Sequence, residues 1–194
     1  MEMDAEKLAR ILKRLVSITF VCNLLVLPLL AGLARLKGMG ELTGGISCFF
    51  EQGEGVGQIL LRLVGYFLTS WGEIWLFEER YAQVLALFLF FCGVCTAVIL
   101  WQGRRVLDTV LRGETFTRGN AANMGRAAVC CFLISGAALL RTVWGLFHDG
   151  SIGPLFTYNT LFIPVFFMAG LLCLILSALV RQAAELKEEN DLTI

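Results

Sequence analysis

Histidine occurs once in these 194 residues, proline three times, and charged residues make up only 16% of the chain. His148 has no second histidine and no clustered carboxylate at ligand spacing, which argues against a His-rich metal centre. There is no Ser-His-Asp set, no glycine-rich phosphate loop and no pair of carboxylates that the sequence nominates for acid–base work. The expectation is a protein that is not an enzyme, with no catalytic, cofactor-binding or metal residues. The scarcity of charge also leaves little from which to build a soluble domain.

What is abundant is apolar: 57% of residues are hydrophobic and the mean hydropathy is +0.74. They gather in four runs, residues 16–36, 81–101, 127–144 and 156–180. A hydrocarbon core of about 30 Å needs about 20 apolar residues in a helix, so each run can serve as a span. The fold class expected is all-α: a polytopic membrane protein built as an antiparallel four-helix transmembrane bundle, with residues 1–194 forming a single membrane domain. The remaining segments are an outer loop at 37–80, an inner loop at 102–126 and a tail at 181–194.

Basic residues set the orientation, because Lys and Arg flanking a span stay on the cytoplasmic side. Lys7, Arg10, Lys13 and Arg14 precede the first span, and Arg104, Arg105, Arg112, Arg118 and Arg126 lie between the second and third. In the 37–80 loop, with Arg35 at its edge, Lys37, Arg62 and Arg80 are outnumbered by Glu41, Glu51, Glu54, Glu73, Glu78 and Glu79. That loop is expected outside, and both termini inside. Trp71, Trp75, Tyr81, Trp101, Trp144 and Tyr158 fall near span ends, where aromatic rings with a polar group prefer to sit. The first run follows a basic segment, is long enough to remain as a span and lacks a small-residue cleavage site, so it reads as an anchor.

Inside the first span, Asn23 and Pro28 are compatible with a kinked polar cleft or with a packing kink whose amide bonds a neighbouring helix. No charged residue sits at mid-depth in any span, which weighs against an ion-coupled pump. In the outer loop, residues 59–77 mix apolar clusters with Arg62 and Glu73, a pattern for an interfacial helix that caps the bundle as a structural or a ligand lid. Of seven cysteines, Cys48 lies in the outer loop and the other six within spans. Cys92 and Cys95 have redox spacing, but at lipid depth cysteine behaves as a small packing residue.

Two hydrophilic segments stand out. In the inner loop, Val106, Leu107, Val110 and Leu111 extend the second span as an amphipathic stem that Gly113 stops. Phe116 then precedes Thr117, an N-cap residue, with Ala121 positioned for a hydrophobic staple. The candidate inner-loop contact residues are Arg112, Gly113, Phe116, Thr117 and Asn120, on a rim whose arginines suit anionic headgroups or an acidic partner, or simply enforce topology. The tail ends Glu188-Glu189-Asn190-Asp191-Leu192-Thr193-Ile194. Asn190 is a candidate left-handed helix stop, after which an extended peptide would dock on a partner, fold back onto the arginine rim, or stay solvated. These seven residues are the candidate partner-docking site.

The Glu-Asn-Asp-Leu-Thr-aliphatic ending and the pattern Gly113-x-x-Phe116-Thr117-x-x-Asn120-Ala121 resemble those of a family of small bacterial membrane proteins known only as a domain of unknown function. Gly119 and Gly125 stand where members often carry charged residues. The resemblance implies four membrane helices in the bacterial inner (plasma) membrane, no known enzymatic activity, and frequent encoding beside a small Cro-like helix-turn-helix repressor. The leading expectation is a regulatory or scaffold protein that contacts the lipid bilayer and a cytoplasmic regulatory protein, without binding nucleic acid directly. A small transporter or peptide-immunity protein is the alternative; a membrane thiol oxidoreductase built on Cys92 and Cys95 is a weaker one.

Overall fold

The computed structural model describes residues 2–38, 56–76, 80–150 and 152–192, and every described element is helical. In chain order these are α1 (Glu2–Val26), a 3-10 turn (Leu27–Leu29), α2 (Leu30–Gly38), α3 (Val56–Leu76), α4 (Arg80–Leu111), α5 (Arg118–Asp149), a second 3-10 turn (Gly153–Phe156) and α6 (Tyr158–Leu192). The all-α expectation holds. Four stretches are long and apolar enough to cross a membrane: Lys7–Ala34, Arg80–Leu111, Arg118–His148 and Tyr158–Asn190. The second and third contain the runs 81–101 and 127–144 whole, and the first and fourth cover all but two residues of 16–36 and 156–180; the helices continue past the apolar boundaries because strong helix formers do.

Leu8, Leu25, Leu140, Leu161 and Leu172 are all more than half exposed. Rows of large apolar side chains left open on every long helix are the kind of surface that suits contact with lipid.

The chain forms two compact units. One comprises residues 24–93. In it Pro28, which lacks an N–H and crowds the carbonyl one turn earlier, converts the helix to the 3-10 turn between α1 and α2. The Pro28 carbonyl accepts a hydrogen bond from the indole N–H of Trp71 at 2.8 Å. Gly32 lies beneath Phe67 so closely that a Cβ there would come within 2.1 Å of the ring. Ala34, Ile74, Ala82, Leu85 and Ala86 form a buried cluster flanked by Tyr81 and Leu89. The helix expected at 59–77 is therefore present as α3. It packs Phe67, Trp71 and Ile74 inward and leaves Leu61, Val64, Leu68 and Trp75 exposed along one stripe, as an interfacial helix requires. The glycine-rich part of the outer loop, with Cys48, lies outside the described residues.

The other unit comprises residues 1–23 and 94–194. Its centre is the α5–α6 hairpin. Ala121, Gly125, Ala128, Cys131, Ser135, Ala138, Thr142 and Gly145 recur at intervals of three and four, so one face of α5 is lined by small residues from end to end. Small side chains let helix backbones approach closely where lipid offers no hydrophobic drive. α6 fills the seam: Ser177 donates to the Ala121 carbonyl at 2.7 Å, Ser135 donates to the Ile163 carbonyl at 2.8 Å, and the Phe132 ring sits where a Cβ on Gly170 would be only 3.0 Å away. At the far end Gly145 accommodates Pro154, and Gly150, at φ 58, caps α5. α1 meets α4 through Lys13 and Asp108, 2.5 Å apart, and through Phe20 against Trp101.

The described cysteines of this unit, Cys22, Cys95, Cys130, Cys131 and Cys173, are free. Cys95 and Cys131 are buried, where cysteine packs as a small apolar side chain.

Candidate functional site at the α4–α5 turn and the end of α6

α4 is stopped as its sequence dictates. Gly113 adopts φ 78, its N–H reaches the Val110 carbonyl at 3.1 Å, and the Glu114 N–H reaches the Thr109 carbonyl at 3.0 Å. This is the Schellman pattern, in which a left-handed residue lets two successive amides satisfy the last carbonyls. Three residues later Thr117 is extended (φ −131), and its hydroxyl accepts the Asn120 backbone N–H at 3.2 Å, capping α5.

Asn120 binds these two ends together. It is only 1% exposed. Its Nδ2 donates to the carbonyls of Glu114 and Thr115 at 3.3 and 2.9 Å, and its Oδ1 accepts the Thr109 hydroxyl at 2.7 Å. One amide side chain thereby satisfies two turn carbonyls and ties the last turn of α4 to the first turn of α5. Of the five inner-loop contact residues expected from sequence, Gly113, Thr117 and Asn120 build the turn, whereas Arg112 and Phe116 are exposed. Phe116 stays 52% exposed, and the Ala121 expected to staple it is buried, its carbonyl bonded by Ser177.

The tail requires a correction. The helix does not stop at Asn190: α6 continues to Leu192, and no residue other than glycine among those described has a positive φ. Glu, Leu, Lys and Ala are strong helix formers, and Arg181 bonded to Glu185 one turn away (3.1 Å) supports the extension, so one asparagine is carried along. Asp191 and Leu192 are therefore helical where an extended peptide was expected after Asn190; Thr193 and Ile194 lie outside the described residues.

The tail nevertheless meets the arginine rim. Arg118 Nη2 lies 2.6 Å from Glu188 Oε2, joining the first turn of α5 to the last turns of α6. Both side chains are more than half exposed, so the pair contributes about 0–1 kcal/mol and acts more on position than on stability. Beside it, Arg118, Ala121, Ala122, Gly125, Ser177 and Arg181 line a cleft of about 240 Å³. A second recess of about 520 Å³ lies between the end of α4 and the start of α5.

Sequence reasoning did not find Thr109, Ser177 or the Lys13–Asp108 pair. Their signals were present: Thr109 precedes Gly113 by one helical turn, and Ser177 is the one hydroxyl residue between Leu161 and Val180. Two buried acceptors, Asn23 Oδ1 and Gln102 Oε1, have no donor among the described residues. The described residues hold no group of three or more His, Cys, Asp or Glu side chains able to bind a metal.

These features define an all-α protein whose four apolar helices suit a multi-pass membrane protein, with a clamped polar turn at one end. Residues 69–194 match the family described as "Protein of unknown function (DUF2975)", which covers more than half of the chain, and the protein belongs to that family. No curated protein and no solved structure matches it.

Proposed function

We propose that this protein is a non-enzymatic regulatory or scaffold protein of the bacterial inner membrane, with both termini cytoplasmic, that presents the α4–α5 turn and the end of α6 as one surface to a cytoplasmic partner. The observation that carries this reading is the Arg118–Glu188 contact at 2.6 Å, which joins the two most distinctive hydrophilic segments of the sequence. A clamped turn is pre-organised, so a partner docking there orders little chain on binding. Exposed Phe116 and Arg112 supply an apolar anchor and a charge beside the acidic end of α6. A small helix-turn-helix repressor fits the proposed partner, given the neighbouring gene that the sequence resemblance implies. The test is co-purification of that repressor, with Phe116→Ala expected to reduce its recovery about ten-fold or more; unchanged recovery from F116A together with R112Q would remove the surface from consideration.

A second reading, a small transporter or peptide-immunity protein, draws on Asn23 Oδ1, a buried acceptor without a donor in an apolar helix. Asn23→Leu should then abolish uptake or protection; under the regulatory reading it leaves partner recovery unchanged.

A further inference from the structure

The larger recess carries a charge that the described residues leave unneutralised. It is lined by Arg105, Asp108 and Thr109 on α4, by Arg112 just past its end, and by Gly119, Ala122, Asn123 and Arg126 on α5. Arg105 and Arg112, seven residues apart, both line it, Arg112 in the turn that follows α4, and Gly119, Ala122, Asn123 and Arg126 follow the i, i+3, i+4, i+7 face of α5. The space exists because positions 119 and 122 are Gly and Ala, neither of which projects into it far enough to fill it. The one carboxylate lining it, Asp108, is taken by Lys13 at 2.5 Å. The Thr109 hydroxyl is taken by Asn120. Among the described residues, Arg105, Arg112 and Arg126 pair with no carboxylate, whereas in the neighbouring cleft Arg118 pairs with Glu188 and Arg181 with Glu185.

The recess also lies at a defined depth. Arg105 follows Trp101 by one helical turn and places its guanidinium 5.9 Å from the centre of that ring. Arg126 directly precedes the apolar run that begins at Ala127. Tryptophan sits at headgroup level, so these arginines stand where lipid phosphates lie. Guanidinium forks match phosphate oxygens in geometry as well as charge.

We infer that this recess binds the phosphate of an anionic phospholipid headgroup from the adjoining leaflet, held by Arg105, Arg112 and Arg126. The inference does not depend on a protein partner. The test is native mass spectrometry of the full-length protein equilibrated with phosphatidylglycerol against phosphatidylcholine. Wild-type protein should retain phosphatidylglycerol preferentially, and R105Q and R112Q should each lower that preference about five-fold. R104Q removes the same charge from the same helix outside the recess and should change the preference less than about two-fold. A122W fills the recess without changing charge and should also abolish the preference; should it unfold, the comparison of R112Q with R104Q decides alone. Equal losses from R104Q and R112Q, retention of the preference by folded A122W, or displacement of the lipid by inorganic phosphate in the buffer would each overturn the assignment.

Discussion

Asn120 shows how one side chain can turn a loop into a fixed structure. Buried at 1% exposure, it satisfies the Glu114 and Thr115 carbonyls and accepts the Thr109 hydroxyl. Replacing it with Ala strips the two turn carbonyls of their partner, while the Thr109 hydroxyl keeps the Val106 carbonyl at 2.7 Å, and stability should fall by about 2–3 kcal/mol in detergent unfolding experiments. Thr117→Ala removes only the cap and should cost about 1 kcal/mol. A loss from N120A no larger than that from T117A would show that the clamp contributes little. The sequence pattern Gly113-x-x-Phe116-Thr117-x-x-Asn120 was legible as a turn with a cap, because glycine stops and threonine caps are local signals. Asn120's role was not, since its bond to Thr109 spans 11 residues and depends on the return angle of the chain.

At the scale of elements, hydrophobic runs located all four long helices, and the Gly113 stop and Thr117 cap were legible, while the stop expected at Asn190 was not borne out. Helix propensity and (i, i+4) ion pairs continue beyond the apolar boundary, as the extension of α6 through Glu185, Glu188 and Asn190 to Leu192 demonstrates. The small-residue seam on α5 was readable from Ala121 to Gly145 but is silent about its partner; only the fold shows Ser177, Ile163 and Phe132 meeting across it. Enlarging a seam position separates two backbones, so Ala138→Leu should destabilise the hairpin by about 1–3 kcal/mol. Leu140→Ala, at a side chain 71% exposed and therefore facing lipid, should change stability by less than about 0.5 kcal/mol in a bilayer. Equal effects of the two substitutions in reconstituted protein would contradict the assignment of the seam as the packing face.

For the whole molecule, the distribution of basic residues makes a topological statement that the fold permits and experiment can read. With the endogenous cysteines replaced, a single cysteine at Gly150 should react with a membrane-impermeant maleimide in intact cells, and one at Gly113 only after permeabilisation. The opposite labelling would invert the orientation and move the clamped turn away from the cytoplasm. The central claim is that the α4–α5 turn and the end of α6 act as one docking surface through Arg118 and Glu188. The most direct test is a double-mutant cycle on recovery of the repressor with full-length protein, comparing wild type, R118E, E188R and R118E/E188R. The account expects each single reversal to reduce recovery and the double reversal to restore it toward the wild-type level. Equal recovery from all four proteins would contradict it.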